Sequence, residues 1–94
     1  MDEAFLEVHA EDLHVPERLI LAPAGGRFRA LPPVTVTAEG EVVSRGQAIG
    51  VIERMSDEVT VVSSHDGWLM GHLALPGERV RESQPVAWFR VFDA

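Results

Sequence analysis

From residue 18 onward the apolar positions do not recur at helical spacing but fall in short β-branched or aromatic runs. These runs are Leu19-Ile20-Leu21, Val34-Thr35-Val36-Thr37, Ile49-Gly50-Val51-Ile52, Val59-Thr60-Val61-Val62 and Val86-Ala87-Trp88-Phe89. Turn-forming residues separate them: Ala24-Gly25-Gly26, Pro32-Pro33, Glu39-Gly40, Asp66-Gly67 and Pro76-Gly77. Strands at this spacing with this punctuation predict an all-β sandwich or barrel. The first residues differ. Phe5, Leu6, Val8 and Leu13 can form a short amphipathic helix, while Phe5-Glu7-His9 alternates as an edge strand does. Val15-Pro16 ends either element, because the residue before proline is pushed out of the helical region.

An internal repeat is expected within the β region. Gly40-Glu41-Val42-Val43-Ser44-Arg45-Gly46-Gln47-Ala48-Ile49 lies over Gly77-Glu78-Arg79-Val80-Arg81-Glu82-Ser83-Gln84-Pro85-Val86 at an offset of 37 residues. Gly, Glu, Val and Gln coincide, Gly46 faces Ser83, and Val51-Ile52 continue opposite Trp88-Phe89. The first half carries about four extra residues near Leu31-Pro32-Pro33-Val34. Two similar halves are therefore expected to pack about a pseudo-twofold axis, with Gly40 and Gly77 supplying positive φ at the turns before short strands at Val43 and Val80.

Size and charge narrow the function. Ninety-four residues fill one core. Five of the 15 acidic residues, Asp2, Glu3, Glu7, Glu11 and Asp12, fall within residues 1–14, where there is no Arg. Residues 1–16 thus read as an acidic leader, expected to be a solvated tail or to dock on the domain or a partner, and 17–94 as the domain. A net charge of -7 opposes a phosphate backbone, so nucleic acid is not an expected partner. No apolar run reaches a membrane-spanning length and the start is acidic where a secretory signal is basic, so no membrane partner and a cytoplasmic location are expected. The chain has no Cys, Asn, Tyr or Lys, and all eight basic side chains are Arg. This depletion fits a GC-rich genome. Its chemical consequence holds regardless: no side chain can form an amide with biotin or lipoate, or a Schiff base with a carbonyl.

From about Leu19 to Phe92 the chain resembles the biotinyl/lipoyl domain family, most closely the bacterial type of biotin carboxyl carrier found in acetyl-CoA carboxylase. Ala22-Pro23-Ala24-Gly25-Gly26-Arg27-Phe28-Arg29-Ala30-Leu31-Pro32-Pro33 is similar to that family's Pro-Met-x-Gly-Thr-Phe-Tyr-Arg-x-Pro, which leads into an inserted thumb, shorter here. Gly40-Glu41-x-Val43-x-x-Gly46-Gln47-x-Ile49-x-x-Ile52-Glu53 resembles the run before the modified residue. Val59, Asp66-Gly67-Trp68-Leu69 and Pro76-Gly77-Glu78-x-Val80 resemble the run after it. The resemblance implies a flattened, quasi-twofold barrel-sandwich hybrid of about eight short strands with a hairpin tip over Arg54–Asp57.

The chain departs from the family where the chemistry sits. The family attaches biotin to the lysine of a Glu-Ala-Met-Lys-Met tip, and here the tip reads Glu53-Arg54-Met55-Ser56-Asp57. Ser56 takes the lysine's place, so no cofactor is expected. Phosphopantetheine on Ser56 lacks its Asp-Ser-Leu run. Glu53, Asp57 and Glu58 form an acidic tip, but exposed carboxylates in a turn are ordinarily just solvated, so no metal is expected. His65, Asp66 and His72 are the most enzyme-like cluster. The Asp66-Gly67 turn nevertheless accounts for Asp66 without catalysis. His65 and His72, seven apart, fall on opposite faces of a regular strand unless a bulge intervenes. His9 and His14 read as ordinary leader residues. Of the aromatics, Phe28, Trp88 and Phe89 read as core, with one of Trp88/Phe89 and one of Val51/Ile52 facing inward. Trp68 follows a turn and stands between core and rim.

The expected function is a non-biotinylated relative of the carrier. It would act as a docking, scaffolding or regulatory module beside an acyl-CoA carboxylase or other multienzyme system, through Arg54, Met55, Ser56, Asp57 and Trp68. The alternative is a repurposed barrel that binds or transforms a small molecule with His65, Asp66, His72 or Trp68. A fragment of a transport adaptor is a third reading.

Overall fold

In a computed structural model, residues 16–92 are described. The leader expected over 1–16 lies outside them except for Pro16, as do His9 and His14. Eight strands follow in the described residues: β1 (Glu17–Leu21), β2 (Gly26–Ala30), β3 (Glu41–Val43), β4 (Ala48–Glu53), β5 (Glu58–Val62), β6 (Gly67–His72), β7 (Arg79–Val80) and β8 (Pro85–Val91). They form two antiparallel four-stranded sheets, the first ordered β1-β8-β6-β3 and the second β5-β4-β2-β7. The architecture is the all-β sandwich that the run-and-turn pattern predicts, with the flattened form that the resemblance implies.

Alternation shows in β2 and β5, while β4 and β8 bury consecutive residues. In β8, Val86 and Phe89 are sealed while Trp88 is half-buried; in β2, Phe28 is sealed between Arg27 and Arg29. These inward residues join Ile20, Val43, Ile49, Ile52, Val61, Leu69 and Val80 in one core between the sheets. Apolar area removed from water contributes about 25 cal/mol per Å2, so a single filled layer carries the stability of a disulfide-free chain. Phe89 is the inward member of its pair, as expected. Val51 and Ile52 are both buried, at 8% and 0% exposure. Val51 lies between Thr60 and Arg29 in the ladders, so its outward side is covered by neighbours.

Both sheets are turned by the same device. Gln47 accepts from the Ser44 N–H through Oε1 at 3.0 Å and donates its own N–H to the Ser44 carbonyl at 2.9 Å. Gln84 repeats both bonds with Arg81, at 3.0 Å each. Gly46 N–H bonds Ser63 O at 2.7 Å, and Ser83 N–H bonds Ala22 O at 2.8 Å. Gly46 and Ser83 both hold a positive φ, 85° and 69°, and Ser83 is the non-glycine residue that does so among the described residues. Gly40 and Gly77, expected to turn with positive φ, have 151° and 76°. Between β2 and β3 run residues 31–40, and between β6 and β7 the shorter 73–78.

One expected strand does not form. Val34–Thr37 is a bent segment joined to β3 by a single bridge, Val36↔Glu41, with Val34 and Val36 78% and 69% exposed. Pro32-Pro33 supplies no backbone donors for a ladder, and Thr37 turns the chain back at once by bonding the Gly40 carbonyl through both N–H and Oγ1 at 2.8 Å. The edge of β3 is available and accepts the segment only at this bridge, with Val42 N–H bonding the Thr35 carbonyl at 2.8 Å, before the Thr37 turn ends the pairing.

Candidate functional site

The hairpin tip is built by the β4/β5 ladder, whose last paired residues are Glu53 and Glu58. Arg54 N–H bonds the Asp57 carbonyl at 2.9 Å, closing a four-residue turn with Met55 and Ser56 at its apex. Above the turn the Arg54 guanidinium grips the Asp57 carboxylate with two bonds of 2.7 Å. This planar, two-pronged geometry is the strong form of the pair. Hydrogen bonding to Arg54 holds the Asp57 carboxyl below its usual value, and the same bond raises the already high value of Arg54. Ser56 is exposed, and Met55 projects fully into solvent. Glu53 and Glu58 are each 3.5 Å from Arg29, so the tip's carboxylates face arginines. Among the described residues no group of three or more His, Asp or Glu could hold a metal ion.

His65 and Asp66 lie in the turn between β5 and β6, and His72 ends β6. Ser64 Oγ is 3.0 Å from His65 Nδ1, and the His65 ring tilts against Phe89 with centroids 5.6 Å apart. Asp66 accepts the Arg45 N–H at 2.8 Å, a bond that ties two turns together. A bulge at Leu69/Gly71 does interrupt β6. The His72 ring nevertheless packs on a different phenylalanine, Phe28, at 5.9 Å. No hydrogen bond or ring contact joins His72 to His65 or Asp66 among the described residues.

Trp68 is half-buried on the outer face of the first sheet, in register between Val42 and Arg90, and meets Phe92 edge-on with centroids 4.6 Å apart. One row along the same face, Trp88 lies between Leu19 and Gly71. A side chain at Gly71 would sit 3.0 Å from the indole nitrogen of Trp88, so the ring lies over the glycine. Leu19, Leu73 and Trp88, with Glu17 and Arg18 at the rim, line a cleft of about 460 Å3. Leu19, Leu73 and Phe92 are 54%, 50% and 45% exposed, so an apolar surface extends across the sheet. The outer face of the second sheet instead carries Arg27, Arg29, Glu53, Glu58 and Arg79. A contiguous exposed apolar surface of this kind is how interaction sites present themselves. The sequence singles out Trp68 and leaves open which of Trp88 and Phe89 faces the core; the structure turns Trp88 outward. Its pairing with Leu19 and Gly71 was not visible without the register.

No protein-family model and no curated protein matches this chain. Solved structures do. The chain is similar to a segment of the Kluyveromyces lactis urea carboxylase, with 29% identity and a TM-score of 0.63, covering 78% of this chain and 6% of that one. A single-chain, multi-domain long-chain acyl-CoA carboxylase matches with 22% identity and a TM-score of 0.66, over 84% of this chain and 7% of that one. An aspartoacylase family protein from Mesorhizobium loti matches with 16% identity and a TM-score of 0.60, over 79% of this chain and 25% of that one. The chain therefore spans under a tenth of either carboxylase. The fold is that of a biotinyl/lipoyl-like barrel-sandwich hybrid. The module it forms is similar to segments of carboxylases.

Proposed function

We propose that this chain is a carrier-like module without an acceptor, working by docking, scaffolding or regulation beside an acyl-CoA carboxylase or another multienzyme system. One observation carries the reading. The apex of the β4/β5 hairpin, where the resembled family places its acceptor lysine, holds Ser56 between Met55 and an Arg54–Asp57 clamp, in a chain without lysine. A serine hydroxyl cannot form the biotin amide, and the clamp gives the tip a rigid charged pair instead. Likeness to segments of two carboxylases supports the setting. The apolar outer face of the first sheet, centred on Trp68 and Trp88, supplies a contact surface for a carboxylase component. The domain is taken as 17–94, preceded by the acidic leader, and functions in the bacterial cytoplasm. Its two halves are read as a repeat, supported by the matched glutamine turns and the matched strand orders. A catalytic use of His65, Asp66 and His72 has less support, because His72 packs apart from the other two.

Incubation with a biotin ligase, ATP and biotin, followed by intact-mass measurement, tests the loss of the acceptor. The mass should stay unchanged, and a stable gain of one biotin overturns the reading.

A further inference from the structure

Four of the chain's eight arginines line a single groove beside the hairpin tip. The groove is open, measures about 980 Å3, and runs between the start of β2, the Glu53–Met55 arm of the tip and the stretch from β7 to Gln84. Arg27, Arg54, Arg79 and Arg81 face Glu53 and Glu82 there. Such a concentration of cations stands out in a chain of net charge -7. Arg54 is engaged by Asp57, Glu53 by Arg29, and one amino group of Arg27 donates to the Gly77 carbonyl at 3.0 Å. The Arg79 and Arg81 side chains are exposed, and no ion pair or hydrogen bond holds them among the described residues.

The strand register makes this arrangement costly. Arg27 stands directly opposite Arg79 in the β2/β7 ladder, and like charges so placed destabilise a sheet. At the matching place in the first sheet, where β6 pairs with β3, Trp68 faces Val42. Two facing guanidinium groups therefore occupy a position that the other sheet fills with an apolar pair. Arg81, just past the end of β7, lines the same groove. Guanidinium forks match carboxylate oxygens two at a time. β7 is also an edge strand of its sheet, so a chain laid along it in extended form presents every second side chain to the same face.

We infer that this groove receives an acidic, extended segment of a protein partner, with carboxylates on Arg27, Arg79 and Arg81. The inference goes beyond the proposed docking on the first sheet. It concerns the other sheet and opposite chemistry, and it does not require a carboxylase partner.

The test uses the full chain and a fluorescent peptide of alternating Glu and Ala, followed by anisotropy, with inorganic phosphate compared in a thermal-shift assay. Wild-type protein should bind the peptide. Binding should fall as salt is raised, because exposed charges are screened over about 10 Å at 0.1 M ionic strength. Arg79→Thr combined with Arg81→Thr should weaken binding at least ten-fold while melting no lower than wild type, since the Arg27–Arg79 repulsion is relieved. Where the double variant melts early, Arg81→Gln alone should still weaken binding at least three-fold. No peptide binding by wild type, undiminished binding by a folded variant, or binding of phosphate without the peptide overturns the inference.

Discussion

Phe89→Ala should remove most of the stability of this domain. Phe89 is fully buried at 0% exposure in β8, paired with Arg18 of β1 on one side and Leu69 of β6 on the other. Its ring lies under His65 at 5.6 Å and belongs to the same buried cluster as Ile20, Ile52 and Val61. Two hydrogen-bonded ladders fix the strand, so its neighbours cannot close over the space an alanine would leave. Truncation of a buried Phe typically costs about 3–5 kcal/mol, a large share of the ~5–15 kcal/mol that holds a domain together. Trp88, the next residue, faces outward and is half-buried. Its truncation opens no core cavity and should cost about 1 kcal/mol, within the ordinary range for a single substitution. Urea unfolding followed by tryptophan fluorescence measures both, because Phe89→Ala keeps two tryptophans and Trp88→Ala keeps Trp68. With a slope of about 1–2 kcal/mol per molar urea for a chain of this size, a 3 kcal/mol loss moves the midpoint by at least about 1.5 M. A cost for Phe89→Ala below about 1 kcal/mol, or no greater than that of Trp88→Ala, would refute the assignment of the core.

Further outcomes follow from the tip and the turns. Because hydrogen bonding to Arg54 places the folded Asp57 value below its unfolded one, the pair's contribution is present above the unfolded value and is lost as pH falls through the folded one. An NMR titration should put the Asp57 midpoint below that of an unstructured peptide, and Arg54→Gln should return it to the ordinary range; an unmoved midpoint contradicts the clamp. Gly46→Ala forces a side chain to φ 85° and should cost about 1–2 kcal/mol, or several degrees of melting temperature. Ser83→Gly, at φ 69°, should leave the melting temperature unchanged or raised. Gly46→Ala without loss, or Ser83→Gly with a marked loss, contradicts the turn geometry.

Punctuation made most of the fold legible. Gly-rich and Pro-rich breaks delimited the β-branched runs at Leu19, Ile49, Val59 and Val86, each of which falls in a strand. The matched Gln47 and Gln84 positions correspond to matched turns. Val34–Thr37 misled because β-branched composition reports compatibility with a pleated surface, whereas Pro32-Pro33 before it and the Thr37–Gly40 turn after it limit its pairing with β3 to one bridge. Period-2 alternation identified Trp88 and Phe89 as facing opposite ways but not which faced inward, since that depends on the paired strand. The arginine groove was invisible for a different reason. Arg27, Arg54 and Arg79 are scattered through the sequence, and only the β4-β2-β7 order brings them side by side.

Docking to a carboxylase component through the Trp68 face is tested most directly by affinity capture and quantitative mass spectrometry from the cells that make the protein, with wild-type and Trp68→Ala baits side by side. Losing the Trp68–Phe92 contact removes an edge-on aromatic pair worth about 0.5–1.5 kcal/mol, so the variant bait remains folded. A half-buried tryptophan on an apolar face is the kind of residue that concentrates binding energy. A carboxylase component should be recovered with the wild-type bait and depleted at least ten-fold with a folded Trp68→Ala bait. Recovery of no carboxylase component, or equal recovery by both baits, would contradict docking through this face.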